Sequence, residues 1–175
     1  MTAEVARPAE RGEPWSFGAR DEGDTEALGQ ALGAALAQGG VVALIGQLGA
    51  GKTRLVQSIA AALGADRRTV NSPTFVLIQE YSASRPIFHF DTYRLRSVDE
   101  FLGLGVDEMF QSAGVCLVEW ADRVTPVLPS DRLQIEIEVV GPTARNFNIT
   151  ALGSRSAEVL ADARENVRAR SASRA

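Results

Sequence analysis

The sequence predicts an α/β protein with a mostly parallel sheet, antiparallel edge strands and flanking helices. This fold class follows from short apolar runs, which are typical of buried strands, and from helical segments whose apolar residues recur every three or four positions. The order strand, glycine loop, helix and further strands indicates that the two kinds of segment form layers. The chain has 175 residues, enough for one domain, and 45% of them are hydrophobic, enough for a sizeable core.

The composition narrows the classes of protein to which the chain can belong. No apolar run approaches the roughly 20 residues that a membrane helix needs, and the first residues contain no basic stretch followed by an apolar one. We therefore expect a cytoplasmic protein with no signal peptide and no membrane partner. The single cysteine, Cys116, excludes an internal disulfide and is expected to be a small buried hydrophobe. The net charge of −4 argues against a broad, nonspecific grip on nucleic acid.

Along its length the chain divides into a tail, a domain and a C-terminal extension. Residues 1–20 are rich in Glu, Arg, Pro and Ala without any period, and they predict a disordered or loosely attached tail. Residues 21–153 carry the periodic segments and are predicted to form a P-loop NTPase-like domain. Residues 154–175 are predicted to be a polar helix or tail. Its arginines could contact RNA, but the acidic residues among them favour a solvated segment.

The first predicted helix starts at Thr25, is capped by Asp24 or by Thr25 itself, and ends at a pair of glycines. An apolar, β-branched run at 41–45 predicts a strand buried on both faces, and a second helix follows the glycine loop. Residues 97–100 have the signature of a capping box that opens a short helix. Further strands are predicted at 75–81, 87–93, 115–119, 132–139 and 145–152.

The strongest functional signal is a phosphate-binding loop between the first predicted strand and the second helix. Its residues match the pattern G-x-x-x-x-G-K-[ST]: Gly46, Gln47, Leu48, Gly49, Ala50, Gly51, Lys52 and Thr53. The glycines let the backbone curl around an anion, and its amides cradle the β-phosphate. Lys52 reaches the β- and γ-phosphates, and Thr53 is a magnesium ligand. We assign nucleotide binding to these residues and to the adjacent Arg54.

The use of basic residues supports this assignment. Lys52 is the only lysine among 18 basic residues, which indicates that a compact ammonium is required at this position. Because the chain has no second lysine, it lacks the N-K-x-D motif with which Ras-type GTPases read guanine. ATP and Mg²⁺ are therefore the expected nucleotide and metal.

Two acidic residues are candidates for holding magnesium and for orienting the water that attacks the γ-phosphate. Asp91 lies toward the end of the strand predicted at 87–93. Glu119 ends the hydrophobic run at 115–119, and such a run finishing in a carboxylate is typical of the magnesium-binding strand of P-loop ATPases. With Lys52 they are the catalytic candidates, and with Thr53 they are the candidate metal ligands. The residues do not indicate which acid has which role.

Three neighbouring side chains have two interpretations each. His89, the only histidine, lies between two phenylalanines, where a packed and hydrogen-bonded residue is more common than a catalyst. Trp120 could stack on a base or a partner, or it could pack within the protein. Arg94 could stabilise charge in cis, or it could pair with Asp99 or Glu100.

Four motifs follow one another along the chain. They are the phosphate loop, Ser72-Pro73-Thr74-Phe75, His89-Phe90-Asp91-Thr92-Tyr93-Arg94-Leu95 and Val118-Glu119-Trp120. In this order and spacing they resemble the TsaE family, also called YjeE, and the resemblance covers about residues 25–152. The phosphate loop alone is shared by many families, whereas the set of four is specific.

The resemblance implies a small P-loop protein that binds ATP and Mg²⁺ and hydrolyses ATP slowly alone and faster with TsaB and TsaD. These proteins belong to the bacterial system that makes N6-threonylcarbamoyladenosine in tRNA, so tRNA would be met indirectly, through the complex. The function expected from the resemblance is that of an ATPase subunit of this machinery.

The resemblance also implies roles for individual residues. Ser72, Pro73 and Thr74 would form a switch-like loop near the γ-phosphate. Asp91 and Glu119 match positions tied to magnesium and hydrolysis. Near the nucleotide, Trp120 matches a position important for activity, and Thr25 matches a helix-start position.

Two alternatives from other classes stay open. A small-molecule kinase on the same fold would need an acceptor pocket and usually an arginine-bearing lid, for which the stretch at 94–96 is short. A non-catalytic switch would use the bound nucleotide only to control docking. Loss of tRNA modification on replacing Glu119, with nucleotide binding retained, would separate the enzyme from the switch.

Overall fold

The computed structural model describes residues 13–172, so predictions for residues 1–12 and 173–175 lie outside its range. The strands are β1 (Trp15–Ala19), β2 (Gly40–Ile45), β3 (Ile78–Tyr81), β4 (Ile87–Asp91), β5 (Val115–Glu119), β6 (Leu133–Val139) and β7 (Arg145–Ala151). The α-helices are α1 (Glu22–Ala35), α2 (Lys52–Ala62), α3 (Val98–Leu102), α4 (Val106–Gln111) and α5 (Ser154–Ala172). Short 3₁₀ turns lie at Leu36–Gln38, Arg67–Thr69, Ala121–Arg123 and Thr125–Val127.

Within the described range, 13–172, the seven strands form one sheet in the order β1-β7-β6-β2-β5-β4-β3. β2 pairs in parallel with β5 on one side and with β6 on the other, and β4 extends the parallel set beyond β5. At the edges, β3 is antiparallel to β4, and β7 and β1 are antiparallel additions beyond β6. The predicted α/β fold, with a parallel centre, antiparallel edge strands and flanking helices, is confirmed.

Alternate residues of the central strands face two separate hydrophobic cores. In β2, Val42 and Leu44 belong to the core formed with α1, α2 and α5, whereas Val41 and Ala43 belong to the core formed with α3 and α4. Because both faces are covered, β2 is apolar throughout and β5 is apolar until its last residue, Glu119.

The helices α1 and α2 pack closely on one face of the sheet. A Cβ atom added at Gly29 would lie 2.3 Å from Cβ of Ser58, and one added at Gly33 would lie 2.6 Å from Cβ of Ala62. A larger residue at either glycine would push the helices apart. This contact therefore helps to determine where α2, and the phosphate loop before it, lie on the sheet.

The prediction of a tail over residues 1–20 is wrong for its last part, because Trp15–Ala19 form β1. β1 pairs with β7, and the ring of Phe17 lies 6.4 Å from that of Phe147. A strand this short carries little signal by itself, and it forms because the open edge of β7 supplies its hydrogen bonds. The first helix also begins earlier than predicted, at Glu22, because the side chain of Asp21 accepts a hydrogen bond from the amide of Asp24 at 2.9 Å.

The predicted C-terminal helix is present as α5, but it is not a solvated extension of the domain. Its side chains Val159, Leu160 and Ala163 are buried in the core shared with α1. Asp131 accepts hydrogen bonds from the first-turn amides of Arg155 and Ser156, at 3.0 and 2.9 Å, which stabilises the start of the helix. The predicted boundary at residue 153 therefore cuts through the packed domain.

The strand predicted at 75–81 is shorter in the structure, because residues 74–77 form a turn. The amides of Val76 and Leu77 donate to the carbonyl of Pro73 at 3.1 and 2.6 Å, and Leu77 has a left-handed φ of 67°. The apolar letters of this stretch suggest a strand, but the turn leaves Phe75 82% exposed. The strand predicted at 87–93 ends earlier, at Asp91, whose Oδ1 atom accepts a hydrogen bond from the amide of Tyr93.

Two local predictions are confirmed, the second of them in part. Cys116 is buried, and burial raises the pKa of its thiol to about 12. Of the predicted capping box at 97–100, the Ser97 half is present, because its hydroxyl accepts a hydrogen bond from the amide of Glu100 at 3.2 Å. The side chain of Glu100 accepts from the amide of Arg96 at 2.8 Å, one residue before the position that a capping box requires. Within residues 13–172, none of the helices combines the length and the apolar character that crossing a bilayer requires.

The burial of α5 leads to a test of the domain boundary. Replacement of Leu160, which is 2% exposed, by Ala should lower the free energy of unfolding by about 2–5 kcal/mol, because it leaves a cavity. Chemical denaturation followed by circular dichroism measures the change. The control is Glu158→Ala on the exposed side of the same helix, which should change stability by less than about 0.5 kcal/mol. Equal effects of the two substitutions would place α5 outside the core.

Candidate functional site

The phosphate loop connects β2 to α2 at the carboxyl ends of the parallel strands. Gly49 and Gly51 have positive φ angles of 77° and 106°, whereas a Cβ atom on Gly46 would lie 2.9 Å from the carbonyl oxygen of Ile137. α2 begins at Lys52, so the amides of its first turn have no partner within the helix and point toward the loop. These amides and the positive end of the helix favour an anion in the loop.

The side chain of Lys52 folds back over the loop. Its Nζ atom donates to the carbonyls of Gly46 and Gln47, at 2.5 and 3.0 Å, and lies 3.6 Å from the centroid of the Trp120 ring. Burial lowers the pKa of the Lys52 amine, while nearby carboxylates, Glu119 foremost, oppose this effect. The amine is therefore partly desolvated and is held at the mouth of the loop, over an aromatic face.

Glu119 is brought to the phosphate loop by the register of the sheet. Leu44 of β2 lies opposite Glu119 of β5, so the acid ends its strand beside the loop that follows β2. The Thr53 hydroxyl lies 2.9 and 3.0 Å from the two carboxylate oxygens and donates to them. The first turn of α2 and the end of β5 thus present a hydroxyl and a carboxylate at one point.

Asp91 is the neighbour of Glu119 across β4 and β5, but it contacts a different segment. Its Oδ2 atom accepts hydrogen bonds from the hydroxyls of Ser72 and Thr74, at 2.5 and 2.8 Å, and its Oδ1 atom accepts one from the amide of Tyr93 at 2.9 Å. Glu119 therefore faces the phosphate loop, whereas Asp91 attaches the 72–74 segment to the sheet.

His89 lies behind Glu119 and is fully buried. Its Nε2 atom is 2.7 Å from Oε1 of Glu119, and its Nδ1 atom is 3.2 Å from the hydroxyl of Tyr81. The Tyr81 hydroxyl also lies 3.0 Å from the carbonyl of Asn71, at the start of the 72–74 segment. The favoured interpretation of His89, a packed and hydrogen-bonded residue, agrees with this geometry.

A cavity of about 530 Å³ lies between these groups. The residues predicted from the sequence that line it are Thr25, Leu48, Gly49, Ala50, Gly51, Lys52, Thr53, Arg54, Ser72, Thr74, Asp91, Glu119 and Trp120. Three of the predicted residues do not line the cavity: Gly46, Gln47 and Pro73. Their carbonyls accept hydrogen bonds from other residues of the protein.

Two of the predicted residues that line the cavity, Thr25 and Arg54, lie in the first turns of α1 and α2. The hydroxyl of Thr25 lies 3.4 Å from the carbonyl of Asp21, so it closes the first turn of α1. Arg54 forms an ion pair with Glu22 at 2.7 Å. The pair is largely solvent-exposed, and it joins the starts of α1 and α2 on one side of the cavity.

Trp120 packs within the protein and also lines the cavity, whereas the contact of Arg94 matches neither of its two interpretations. Trp120 has a left-handed φ of 57°, packs against Tyr93 with ring centroids 4.8 Å apart and covers Lys52. A positive φ is strained for a bulky residue, and such strain is often found at functional sites. The guanidinium of Arg94 lies 4.3 Å from the ring centroid of Phe75, so it stacks on the exposed turn.

Sequence reasoning missed five residues that line the cavity: Glu22, Tyr93, Pro142, Thr143 and Arg145. Of these, Arg145 has the most extensive contacts with the loop. Its Nε and Nη2 atoms donate to the loop carbonyls of Ala50 and Gly49, at 2.9 and 3.4 Å. Its Nη1 atom donates to the carbonyls of Gly141 and Ala144, in the turn before β7, at 3.0 and 2.9 Å. The only sequence signal was an arginine at the start of the last strand, which does not indicate a contact 95 positions away.

The donor set at Thr53 and Glu119 fits a hard divalent cation. Mg²⁺ prefers oxygen ligands, keeps several waters, and is usually bound through one or two carboxylates together with substrate phosphates. Within residues 13–172 there is no cluster of three or more His, Cys, Asp or Glu side chains that could hold a metal ion. The Thr53 hydroxyl and a carboxylate oxygen of Glu119, beside the phosphate loop, are the groups that could hold Mg²⁺.

Comparison with known proteins places this geometry in a family. Residues 19–147 match the family described as "Threonylcarbamoyl adenosine biosynthesis protein TsaE". The tRNA threonylcarbamoyladenosine biosynthesis protein TsaE of Bacillus subtilis is 44% identical over 75% of this chain and 82% of that protein. Its counterpart in Treponema pallidum is 36% identical over 74% of this chain and 96% of that protein. The crystal structure of Bacillus subtilis YdiB superposes with a TM-score of 0.74 and 36% identity, over 87% of this chain and 95% of that one.

The match to the family spans most of the chain, and it includes the phosphate loop, both acids and the 72–74 segment. The chain therefore belongs to the TsaE family of threonylcarbamoyl adenosine biosynthesis proteins.

Proposed function

We propose that this chain is the Mg²⁺-dependent ATPase of the bacterial machinery that makes threonylcarbamoyladenosine in tRNA, and that it acts in the cytoplasm with TsaB and TsaD. The observation that carries the proposal is the contact between Thr53, the last residue of the phosphate-loop motif, and the carboxylate of Glu119. An acid in this position provides what a P-loop needs to hold Mg²⁺. Membership of the family and the names of the relatives support the choice of pathway.

The phosphates of ATP are bound by the loop. Backbone amides of the loop and of the first turn of α2 donate to the β-phosphate, and the Lys52 amine moves from the carbonyls of Gly46 and Gln47 to the β- and γ-phosphates. The Trp120 ring limits how far the amine can move and keeps water away from it. Because the site is partly desolvated, these contacts are stronger than they would be in bulk water.

Glu119 and Thr53 would hold Mg²⁺, which, when bound, neutralises charge that develops on the phosphates. In the reaction an oxygen of water forms a bond to the γ-phosphorus, and the bond to the β–γ bridging oxygen breaks. The water loses a proton, which the carboxylate of Asp91 accepts, and ADP and phosphate are formed. The loop amides and Lys52 stabilise the charge on the leaving oxygen and on the γ-phosphoryl group.

Asp91 is assigned to the attacking water. Its carboxylate orients the hydroxyls of Ser72 and Thr74, and all three groups line the cavity. Each acid then has a separate role: Glu119 would bind the metal, and Asp91 would orient the water and hold the 72–74 segment. The sequence left that choice open.

The proposal that partners stimulate the reaction has a structural rationale. The turn that follows Thr74 exposes Phe75 and Val76, and its position is coupled to Asp91 through Ser72 and Thr74. A protein that binds this turn can therefore change how Asp91 is presented to the cavity. The role of tRNA is indirect in this proposal, because TsaB and TsaD would connect the ATPase to it.

The decisive experiment is a measurement of ATP hydrolysis by the purified protein alone, and then with TsaB and TsaD of the same organism. We expect a slow rate alone and a clear increase in the mixture. Glu119→Gln should retain ATP binding in EDTA but lose roughly 100-fold or more in hydrolysis rate, because metal-ion stabilisation of the transition state is worth several kcal/mol.

The matched control is Glu138→Gln, an exposed acid of β6, which should behave as the wild type does. If the wild type binds ATP but never hydrolyses it, with or without partners, the chain is a nucleotide switch. If the phosphoryl group reaches a small-molecule acceptor, it is a kinase.

The role of Asp91 leads to a separate prediction. Asp91→Asn should lower kcat by about 10²–10⁴-fold, because an amide cannot accept protons as a carboxylate does. The Kd for ATP with Mg²⁺ should change little, since Asp91 contacts the 72–74 segment and not the loop. Single-turnover hydrolysis and calorimetric binding measure the two quantities. Asp99→Asn on α3 is the control, and a large loss of Mg-ATP affinity in Asp91→Asn would mean that Asp91 holds the metal.

A further inference from the structure

The buried pair of His89 and Glu119 shows how the site carboxylate is oriented. The two side chains are 0% and 3% exposed, and Nε2 of His89 lies 2.7 Å from Oε1 of Glu119. Two lone pairs would repel each other at this distance, so a hydrogen lies between the atoms. Glu119 is an ionised carboxylate in the proposed function and can only accept, so Nε2 donates this hydrogen to it.

The other ring nitrogen of His89, Nδ1, contacts the hydroxyl of Tyr81. Nδ1 lies 3.2 Å from the Tyr81 hydroxyl, which is 3.0 Å from the carbonyl of Asn71. The hydroxyl donates its single hydrogen to the Asn71 carbonyl, and its oxygen lies beside Nδ1. Contacts at both ring nitrogens thus hold the orientation of the ring, as they do for histidines beside metal sites.

A glutamate needs such a partner at this position. The last torsion of its side chain is soft, so the plane of the carboxylate is not determined by the side chain itself. The Thr53 hydroxyl is nearly equidistant from Oε1 and Oε2, at 2.9 and 3.0 Å, and does not distinguish them. His89 bonds to Oε1 and therefore does distinguish them.

We propose that His89 is a positioning residue, which holds the carboxylate of Glu119 so that Oε2 is turned toward the Mg²⁺ site, while Tyr81 holds the ring of His89. This inference rests on the proposed function, in which Glu119 binds Mg²⁺. The ordered sequence of contacts runs from Asn71 through Tyr81 and His89 to Glu119. It connects the start of the 72–74 segment with the metal site, behind the cavity.

The test compares two conservative variants. The side-chain nitrogen of His89→Gln reaches about the position of Nε2, whereas that of His89→Asn reaches only that of Nδ1. Calorimetry measures the Kd of AMP-PNP with Mg²⁺ and in EDTA, and the ratio gives the factor by which Mg²⁺ tightens binding. We expect His89→Asn to lower this factor by about 10- to 100-fold, the usual cost of losing a group that supports a metal ligand. His89→Gln should retain most of it, and both variants should bind AMP-PNP in EDTA as the wild type does.

Two further variants separate positioning from general stability. Phe90→Leu alters a fully buried residue of the same strand that faces the other core, so it should lower the melting temperature and leave the Mg²⁺ factor unchanged. Tyr81→Phe removes only the hydroxyl and should lower the factor by less than His89→Asn does. Tyr81→Phe also tests the inference if His89→Asn does not fold.

The outcomes distinguish this inference from the proposed function. If Mg²⁺ tightens binding to the wild type and equally to both His89 variants, the positioning role is overturned and the ATPase proposal stands. If the loss in each variant merely follows its melting temperature, Phe90→Leu included, the positioning role is also overturned. If Mg²⁺ does not tighten binding to the wild type, the metal site of the proposed function fails, and the role of His89 fails with it. A normal Mg²⁺ factor without hydrolysis under any condition overturns the ATPase proposal alone.

Discussion

The parallel register of β2, β5 and β4 is the constraint on which the candidate site depends. It places Glu119 opposite Leu44, two residues before the phosphate loop, and Asp91 opposite Glu119. The carboxyl ends of parallel strands meet at one edge of a sheet. The pairing of the strands alone therefore brings the loop and both acids to the same edge. The helices and the two cores serve this arrangement, because they cover both faces of strands that would otherwise expose apolar surface.

Burying several charged groups at one edge of the sheet costs free energy unless each group has a hydrogen-bond partner. Lys52, Asp91, Glu119 and His89 are all at most 5% exposed. Lys52 is hydrogen-bonded to loop carbonyls, Asp91 to two hydroxyls and an amide, and Glu119 to Thr53 and His89. These bonds offset the desolvation of groups that would be unstable alone in the interior. The bonds to Asp91 and Glu119 also orient the two carboxylates, and in the proposed reaction such a fixed orientation is the condition for effective electrostatic stabilisation.

The parts of the fold that could be read from the sequence are those with a local or periodic cause. The strands of the parallel centre are apolar because both faces are covered, and the loop is recognised from a local motif whose glycines permit a tight curl of the backbone. Other parts have causes elsewhere in the chain. β1 is a strand because β7 offers it an edge, α5 belongs to the core because α1 leaves a surface for Leu160, and residues 74–77 turn because Pro73 presents a carbonyl to two amides. Arg145 contacts the loop because the folded sheet brings together residues that are 95 positions apart.

The sequence by itself determined the fold class, the phosphate loop, the two acids and the family, because these depend on residue type and spacing along the chain. It could not assign separate positions to the acids, since both end a strand and both are followed by aromatic residues. Only the tertiary structure placed Glu119 against Thr53 and Asp91 against Ser72 and Thr74. The same holds for His89, whose meaning depends on two partners that approach its ring from opposite sides. Such roles arise from distances between residues far apart in the chain, and spacing in a sequence does not contain those distances.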